Sequence, residues 1–299
     1  MKHITVLKQE AIDYLNIKPD GIYVDGTLGG AGHSKCILEK LDQGFLYAFD
    51  QDQFAIDYAK NVLKDFKRYE IIKSNFRYLK QELEKRDVHA IDGLLLDLGL
   101  SSFQIDDESR GFTYLKETSL DMRMDQSQTL TAAVILNTFS LDELAKIFYV
   151  YGEEKNSYKI ARKVIDHRPL NTTMDLVKIC DQVNYKEKGH SSKRVFQALR
   201  IAVNDELRVL EDVLKDAVQM LKPDGRLVVI TFHSLEDRIV KHFFRDESDV
   251  DPVLKKLPMV MDQEGKTEVL TRKPVYPSET EMSENSRSKS AKLRALRKR

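Results

Sequence analysis

The chain has 299 residues, with 48 basic and 48 acidic side chains, so its formal net charge at pH 7 is zero. Hydrophobic residues make up 41% and charged residues 32% of the sequence, which excludes a disordered or fibrous protein. The two cysteines form no CxxC pair, which excludes a disulfide framework and a cysteine-rich zinc site. The N-terminus lacks the apolar stretch of a signal peptide, and the longest apolar runs are too short to cross a bilayer. We therefore expect a cytoplasmic protein with no membrane partner.

The first hundred residues alternate between predicted strands and helices. Strands are predicted at 21–25, 45–50, 69–73 and 91–98, and helices at 4–15, 34–41, 53–66 and 79–86. The run at 91–98, IDGLLLDL, is almost entirely apolar, which is typical of a strand buried on both faces of a parallel sheet. Repeated strand–helix units of this length predict a doubly wound, Rossmann-like α/β sheet.

The pattern changes after Ser102. Residues 103–128 are polar and loop-like, and the stretch from Thr129 to about Val183 has helical periodicity. A further helix is predicted at 196–221, a strand at 226–232, a helix at 235–244 and a strand near 269–271. The sequence thus predicts a split α/β domain, residues 1–105 and 206–299, interrupted by an all-helical insertion of residues 106–205, to which we assign substrate recognition.

A glycine-rich stretch, DGTLGGAGHS at 25–34, follows the first predicted strand and opens a helix. Glycines there allow a tight turn and a close approach of the backbone to a ligand. Asp50 ends the second strand, where a carboxylate can accept hydrogen bonds from both hydroxyls of a ribose. Asp25 and Asp97 also end strands, at the edge where doubly wound sheets bind ligands. These features favour an adenosine-containing ligand.

The residues favour S-adenosylmethionine over a dinucleotide. A dinucleotide requires a GxGxxG motif, but if Gly30 and Gly32 are its first two glycines, the third position is Lys35. No Walker A lysine follows either, which disfavours a nucleoside triphosphate. A carboxylate at Asp25 repels a pyrophosphate but tolerates the sulfonium and amino groups of S-adenosylmethionine. Phe76, after the third strand, either covers the adenine ring or is an exposed phenylalanine of a loop. An NAD enzyme, or an ordinary strand–helix turn without a ligand, is the alternative that these residues leave open.

Several longer motifs resemble a known family. They are DGTLGGAGHS (25–34), LLLDLGLSSFQIDD (94–107), RGF (110–112), LDMRMD (120–125), FQALRIAVNDEL (196–207) and ITFHSLEDRIVK (230–241), followed by the C-terminal RKPVYPSETE and SRSKSAKLR. Together they resemble the bacterial 16S ribosomal RNA (cytosine-N4) methyltransferases of the RsmH/MraW family. The resemblance implies a class I S-adenosylmethionine-dependent methyltransferase core with an inserted helical domain. It implies methyl transfer to N4 of a cytidine in the decoding centre, at the P site of 16S rRNA in the small ribosomal subunit, and we allow for a homodimer.

The resemblance also implies the cofactor contacts. They fall on Ala31, Gly32, His33, Asp50, Phe76, Asp97 and Gln104. Ala31 stands where many relatives have glycine, which is tolerable if the φ of Ala31 is negative. The amino-methyltransferase motif (D/N/S)PP(Y/F/W) is replaced by DLGLSS, so the handling of the amine does not transfer from other N-methyltransferases.

Asp97 is the first candidate for the catalytic base, because a carboxylate that accepts an N–H of the amine can take the proton after methyl transfer. Neither Cys36 nor Cys180 lies in a Pro-Cys loop, which disfavours methylation at C5 of cytosine. His33 and His233 are each either a base or, more simply, a hydrogen-bonded structural histidine. We predict no required metal, because no His, Asp and Glu residues have the spacing of a metal site.

Two basic clusters are candidates for contacts with RNA phosphates. One comprises Lys186, Lys188, His190, Lys193, Arg194 and Arg200; the other is the C-terminal stretch 286–299, which has seven basic residues and no acidic one. The predicted RNA contacts are Lys193, Arg194, Arg294 and Arg297. A solvated helix face and a solubilising tail are the alternatives. For the chain as a whole, the alternatives are a non-catalytic ribosome-assembly factor with the same fold and a methyltransferase acting on another nucleic acid.

Overall fold

A computed structural model of the protein describes residues 4–186, 189–249 and 265–299. The chain divides into two compact units. The sheet unit comprises Met1–Gly99 and Leu207–Arg299, and the helical unit comprises Leu100–Glu206. The sequence-based boundaries were 105/106 and 205/206, and the role of the helical unit in substrate recognition stays a prediction.

The sheet unit is built on a seven-stranded sheet. Its strands are β1 (Ile22–Asp25), β2 (Phe45–Asp50), β3 (Tyr69–Lys73), β4 (Ile91–Asp97), β5 (Leu221–Thr231), β6 (Thr267–Val269) and β7 (Lys292–Lys298). The strand order is β3-β2-β1-β4-β5-β7-β6, in which β7 alone runs antiparallel to its neighbours. The order reverses between β1 and β4, which is the point where doubly wound sheets bind ligands. The predicted α/β fold class is confirmed.

Helices connect the strands and build the second unit. In chain order they are α1 (Lys8–Leu15), α2 (Gly32–Leu38), α3 (Gln53–Val62), α4 (Leu79–Glu84), α5 (Ser102–Asp106), α6 (Ala132–Thr138), α7 (Leu141–Gly152), α8 (Ser157–Asp166), α9 (Thr173–Asn184), α10 (Lys193–Asn204), α11 (Glu206–Met220), α12 (Ser234–Ser248) and α13 (Glu279–Glu284). In the part of the chain that the structure describes, no helix is both long and apolar enough to span a bilayer.

The apolar run of β4 explains why the sheet is covered on both faces. Successive side chains of a strand point to opposite faces. Leu94 and Leu96 pack into a core with residues of α11 such as Leu210, whereas Leu95 packs into the opposite core with Val228. The helical unit has a core of its own, formed by residues such as Leu144, Phe148, Val164, Leu176 and Leu199. Each unit therefore buries enough apolar surface to form a separate core.

Three sequence predictions need correction. The single helix predicted at 196–221 is two helices, α10 and α11, because Asp205 between them adopts a left-handed φ of 51°. The strand predicted near 269–271 is β6, at Thr267–Val269. The basic stretch 286–299 is not a tail: it contains β7, which lies between β5 and β6. Buried apolar residues such as Leu293 and Leu296 fix this strand inside the sheet.

Candidate cofactor and active site

The turn between β1 and α2 is held on both sides by neighbouring strands. The Gly26 N–H donates to the carbonyl of Leu95 in β4 at 2.9 Å, and the Leu28 N–H donates to the carbonyl of Phe49 in β2 at 2.9 Å. These bonds lock the backbone of the turn at the switch point of the sheet. The glycine-rich turn that the sequence predicts therefore lies where the carboxyl ends of three strands meet.

The backbone of this turn contains a conformation that the sequence did not reveal. Ala31 has a φ of 59°, in the left-handed region, so the condition of a negative φ is not met. Left-handed backbone costs a residue with a Cβ about 1–2 kcal/mol. The Ala31 side chain is fully buried, so burial of its methyl group offsets part of this cost. Ala31 is the N-cap residue of α2, so this φ occurs where the turn passes into the helix.

Gly32 is required by close packing. A Cβ at this position would lie 1.7 Å from Oγ1 of Thr5, in the N-terminal segment 4–7. At Gly26 a Cβ would lie 2.5 Å from Cδ2 of Leu96 in β4. The glycines thus let the turn approach both the N-terminal segment and the sheet, while the predicted contact of Gly32 with the cofactor stays a prediction.

Asp25 is part of the turn itself. Its side chain is 1% exposed, and it accepts hydrogen bonds from Ser34 Oγ at 2.6 Å and from the Thr27 N–H at 3.0 Å. Burial raises the pKa of Asp25, and these hydrogen bonds oppose the rise. The sequence reading that placed this carboxylate at the mouth of the turn is corrected, because Asp25 holds the turn together from inside.

Asp50, at the end of β2, has the position expected of a ribose-binding carboxylate. One oxygen accepts from the Gly29 N–H at 2.9 Å and the other from the Asp52 N–H at 2.8 Å. Burial raises its pKa to about 6. Each carboxylate oxygen has further lone pairs, so Asp50 can bind two hydroxyls while it still fastens the glycine turn to β2.

Asp97, at the end of β4, combines burial with an unused acceptor. Its Oδ1 is buried and has no hydrogen-bond partner, and its Oδ2 lies 3.6 Å from Nδ1 of His33. Burial and the nearby charges of Asp25, Glu236 and Glu281 raise the pKa of Asp97 well above its usual value. A buried polar atom without a partner is rare in native proteins, and a catalytic role is one explanation for it.

The N-terminal segment 4–7 closes one side of the site. The Leu7 N–H donates to Oε1 of Glu281 in α13 at 2.9 Å, and Asn285 Nδ2 donates to the Ile4 carbonyl at 3.2 Å. His33 Nε2 lies 3.1 Å from the Val6 carbonyl. Sequence reasoning missed this segment and Glu281, since no local pattern links residues that are 274 positions apart.

The two other predicted cofactor residues lie in different units. Phe76 starts the 3-10 turn Phe76–Tyr78 directly after β3, and its Cβ lies 3.5 Å from where a Cβ of Gly26 would be. It is therefore adjacent to the glycine turn. Gln104 belongs to the helical unit, where its Oε1 accepts from the Ser101 N–H at 3.0 Å in the capping box of α5. Both cofactor contacts stay predictions.

The remaining histidine and cysteine candidates have structural surroundings. His233 directly precedes α12, and its Nε2 lies 3.0 Å from Oε1 of the buried Glu236. The other oxygen of Glu236 accepts from the backbone N–H of Phe232 at 2.8 Å. Burial raises the pKa of Cys180 to about 12, so its thiol is neutral and a poor nucleophile. Both ring nitrogens of His233 are buried without a hydrogen-bond partner among the described residues, so the catalytic and the structural interpretation of His233 both stay predictions.

The predicted RNA contacts differ in how they are paired. Arg294 is 5% exposed and donates to Asp237 at 2.7 Å, so its assignment to RNA is corrected: β7 directs it into the protein. Arg194 donates at 3.0 Å to Glu154, which is fully buried. Arg297 pairs with Glu268, whereas Lys193 is exposed at the start of α10. Lys188 lies outside the described residues.

The sheet order and the acid-lined glycine turn define the fold of the class I S-adenosylmethionine-dependent methyltransferases. The family model described as the MraW methylase family matches residues 1–299, and the chain belongs to this family. The predicted family is thereby confirmed.

Two relatives with similar sequences support the same assignment. The chain is 55% identical over 298 residues to the ribosomal RNA small subunit methyltransferase H 1 of Acholeplasma laidlawii, covering 100% of this chain and 99% of the relative. It is 54% identical over 292 residues to the ribosomal RNA small subunit methyltransferase H of Onion yellows phytoplasma, covering 98% and 96% of the two chains. A solved rRNA methylase from Streptococcus thermophilus aligns over 99% of both chains with 12% identity and a TM-score of 0.43.

We expect Gly32→Ala to destabilise the protein by about 1–3 kcal/mol, because the new methyl group overlaps Thr5 Oγ1. Urea denaturation followed by circular dichroism measures the change. The double variant Thr5→Ala, Gly32→Ala should recover part of the loss, with Thr5→Ala alone as the control. A double variant no more stable than Gly32→Ala would show that the overlap is relieved elsewhere.

Proposed function

We propose that the protein is an S-adenosylmethionine-dependent methyltransferase that methylates N4 of a cytidine in 16S rRNA of the small ribosomal subunit. The single observation that carries the proposal is the edge of the sheet where Asp50 and Asp97 end β2 and β4 beside the glycine turn. The names of the relatives support the ribosomal RNA substrate. The decoding-centre position, the cytoplasmic location and a homodimer remain part of the proposal.

The residues of this edge fit S-adenosylmethionine. Four acidic side chains, Asp25, Asp97, Glu236 and Glu281, lie close enough together that three of them raise the pKa of Asp97. A ligand with a sulfonium and an amino group supplies positive charge to this cluster, whereas a pyrophosphate adds negative charge. The unpartnered Oδ1 of Asp97 can accept a hydrogen bond from such a ligand or from the amine of the substrate.

The chemistry places specific demands on these side chains. When bound, S-adenosylmethionine supplies an electrophilic methyl group and leaves as a neutral thioether. The cytosine amine is weakly nucleophilic, because its lone pair is delocalised into the ring. Asp97 accepts one N–H of the amine, favours its pyramidal form and takes the proton when the N–C bond forms. Holding the amine in line with the methyl group contributes the larger share of the rate.

The helical unit offers a surface for RNA. Lys193 is exposed at the start of α10, and Tyr185, at the end of α9, is 73% exposed. Lys186 Nζ lies 5.2 Å from the centre of the Tyr185 ring. Exposed aromatic rings stack on unpaired bases and lysines bind phosphates, and a cytidine must leave its helix to expose N4. We assign Lys193 and Lys186 to the RNA, together with Arg297 of the sheet unit.

The function is tested by incubating the protein with labelled S-adenosylmethionine and small ribosomal subunits from cells that lack the enzyme. Mass spectrometry of the digested rRNA should show one labelled N4-methylcytidine.

Asp97→Asn should lower turnover at least about 100-fold, because the amide cannot take the proton. A protein that binds S-adenosylmethionine but transfers no label is the assembly factor of the alternative, and label in a different base or nucleic acid would assign another substrate.

Binding of S-adenosylmethionine should depend on the ionisation of Asp50. Its pKa of about 6 means that Asp50 is mostly protonated below pH 6, whereas the ionised form accepts two ribose hydroxyls. Affinity should therefore rise about tenfold from pH 5 to pH 7 and then level off. Calorimetry in two buffers at pH 6 should detect proton release on binding. Asp50→Asn should lose this release and weaken binding at pH 8 by about 1.5–3 kcal/mol; unchanged proton release would assign the ionisation to another carboxyl.

The RNA surface is tested with Lys193→Ala. We expect weaker binding to small ribosomal subunits and a salt dependence of log K that is shallower by about one, because one phosphate contact is lost. Filter binding at salt concentrations of about 50 to 200 mM measures both the affinity and its salt dependence. Lys60→Ala is the matched control, since Lys60 is an exposed helical lysine of the sheet unit. Equal slopes for both variants would remove Lys193 from the interface.

A further inference from the structure

His33 stands between Asp97 and the N-terminal segment, and its hydrogen-bond partner determines its tautomer. A backbone carbonyl only accepts hydrogen bonds, so Nε2, which lies 3.1 Å from the Val6 carbonyl, carries the hydrogen. In the neutral ring the lone pair is therefore on Nδ1. This nitrogen lies 3.6 Å from Oδ2 of Asp97. The basic nitrogen of His33, a residue that is 5% exposed, thus faces Asp97. Among Asp25, Asp50 and Asp97, which end three strands, Asp97 is the one with a buried oxygen that has no partner in the described part of the chain.

We propose that His33 accepts from Asp97 the proton that the cytosine amine loses. This inference rests on the proposed function. The amine lone pair forms the N–C bond, the C–S electron pair stays on sulfur, and the N–H electron pair returns to nitrogen as its proton moves to the Asp97 carboxylate. Rotation of the carboxyl group brings the proton to Nδ1 of His33, and solvent takes it after the products leave.

The surroundings of Asp97 explain why it needs such a partner. The charged groups that act on it are Asp25 from the end of β1, Glu236 from α12 and Glu281 from α13, and all of them are acidic. Burial and these charges raise the pKa of Asp97, so a protonated Asp97 releases its proton slowly unless a base lies nearby. The same acidic groups stabilise an imidazolium at His33 once it has formed. His33 therefore returns Asp97 to its ionised form after each turnover.

Two substitutions separate this role from a purely structural one. In His33→Gln the side-chain amide can still donate to the Val6 carbonyl, but no basic nitrogen remains. In His33→Asn the shorter amide lies near Asp97 but cannot reach Val6. His89→Gln is the matched control, because His89 is exposed and pairs with Asp87. Multiple-turnover methylation of small ribosomal subunits is measured from pH 5.5 to 9 at saturating S-adenosylmethionine, with cofactor affinity and melting temperature measured for each variant.

We expect both His33 variants to turn over about 10- to 100-fold more slowly than the wild type at saturating S-adenosylmethionine. The acid limb of log rate against pH should approach a slope of two in the wild type, because Asp97 and His33 must both lose protons. The slope should fall to one in His33→Gln. If His33→Gln reacts within about twofold of wild type while His33→Asn is slow, His33 only holds Val6 and the inference is wrong. A wild-type protein that transfers no methyl group would instead overturn the proposed function.

A second measurement needs no turnover. In ¹⁵N-histidine-labelled protein we expect the His33 ring to be the Nε2–H tautomer at pH 8. Asp97→Asn should lower the pH at which the His33 ring becomes protonated, because it removes the adjacent negative charge. An Nδ1–H tautomer, or a His33 titration that Asp97→Asn leaves in place, would overturn the proposal.

Discussion

The parallel pairing of β1 with both β2 and β4 is the constraint on which the rest of the site depends. It brings Asp25, Asp50 and Asp97, the last residues of three strands, to one edge of the sheet. Their environments then diverge, because each meets a different set of donors. Asp25 binds Ser34 and Thr27 inside the turn, and Asp50 binds two backbone N–H groups. Only Asp97 among these three has an oxygen without a protein donor, which is why the cofactor and substrate chemistry is assigned to it.

The acidic character of this edge carries a free-energy cost that a cationic ligand can offset. Buried carboxylates without cationic partners raise one another's pKa values, as at Asp50 and Asp97. Such an arrangement is unfavourable for the protein alone, and its cost falls when a positively charged ligand binds. Strain at functional sites is typical of enzymes. The left-handed backbone of Ala31, in the same turn, is a second example.

Much of the sheet unit could be predicted from local sequence. The apolar runs from 21 to 98 are short and regular, so the strands and the aspartates that end them were predicted correctly. The edge of the sheet at which these aspartates meet follows from the positions of the strands. The φ of Ala31 could not be predicted, because hydrogen bonds to β2 and β4 fix the turn, and sequence spacing does not encode them. The contact of Glu281 with Leu7 joins opposite ends of the chain and leaves no local trace.

The basic C-terminal residues show why charge patterns alone mislead. The segment KLRALRK carries a basic residue at nearly every second or third position, which is typical of an RNA-binding tail. The same segment places Leu293, Ala295 and Leu296 in the protein interior, and the charge of Arg294 is balanced by Asp237. Whether a basic residue faces a polyanion or an internal acid depends on the partner strand. That partner, β5, lies some sixty residues earlier in the chain.

The position of β7 has a consequence for biosynthesis. Because β7 lies between β5 and β6, β6 has no partner strand in the described part of the sheet until Lys292–Lys298 have been made. Segments made earlier can begin to fold during translation. The sheet, however, closes only after Lys292–Lys298 have left the exit tunnel of the ribosome. A premature stop before Lys292 would therefore leave an unpaired β5 edge exposed to aggregation, although the other six strands had been made.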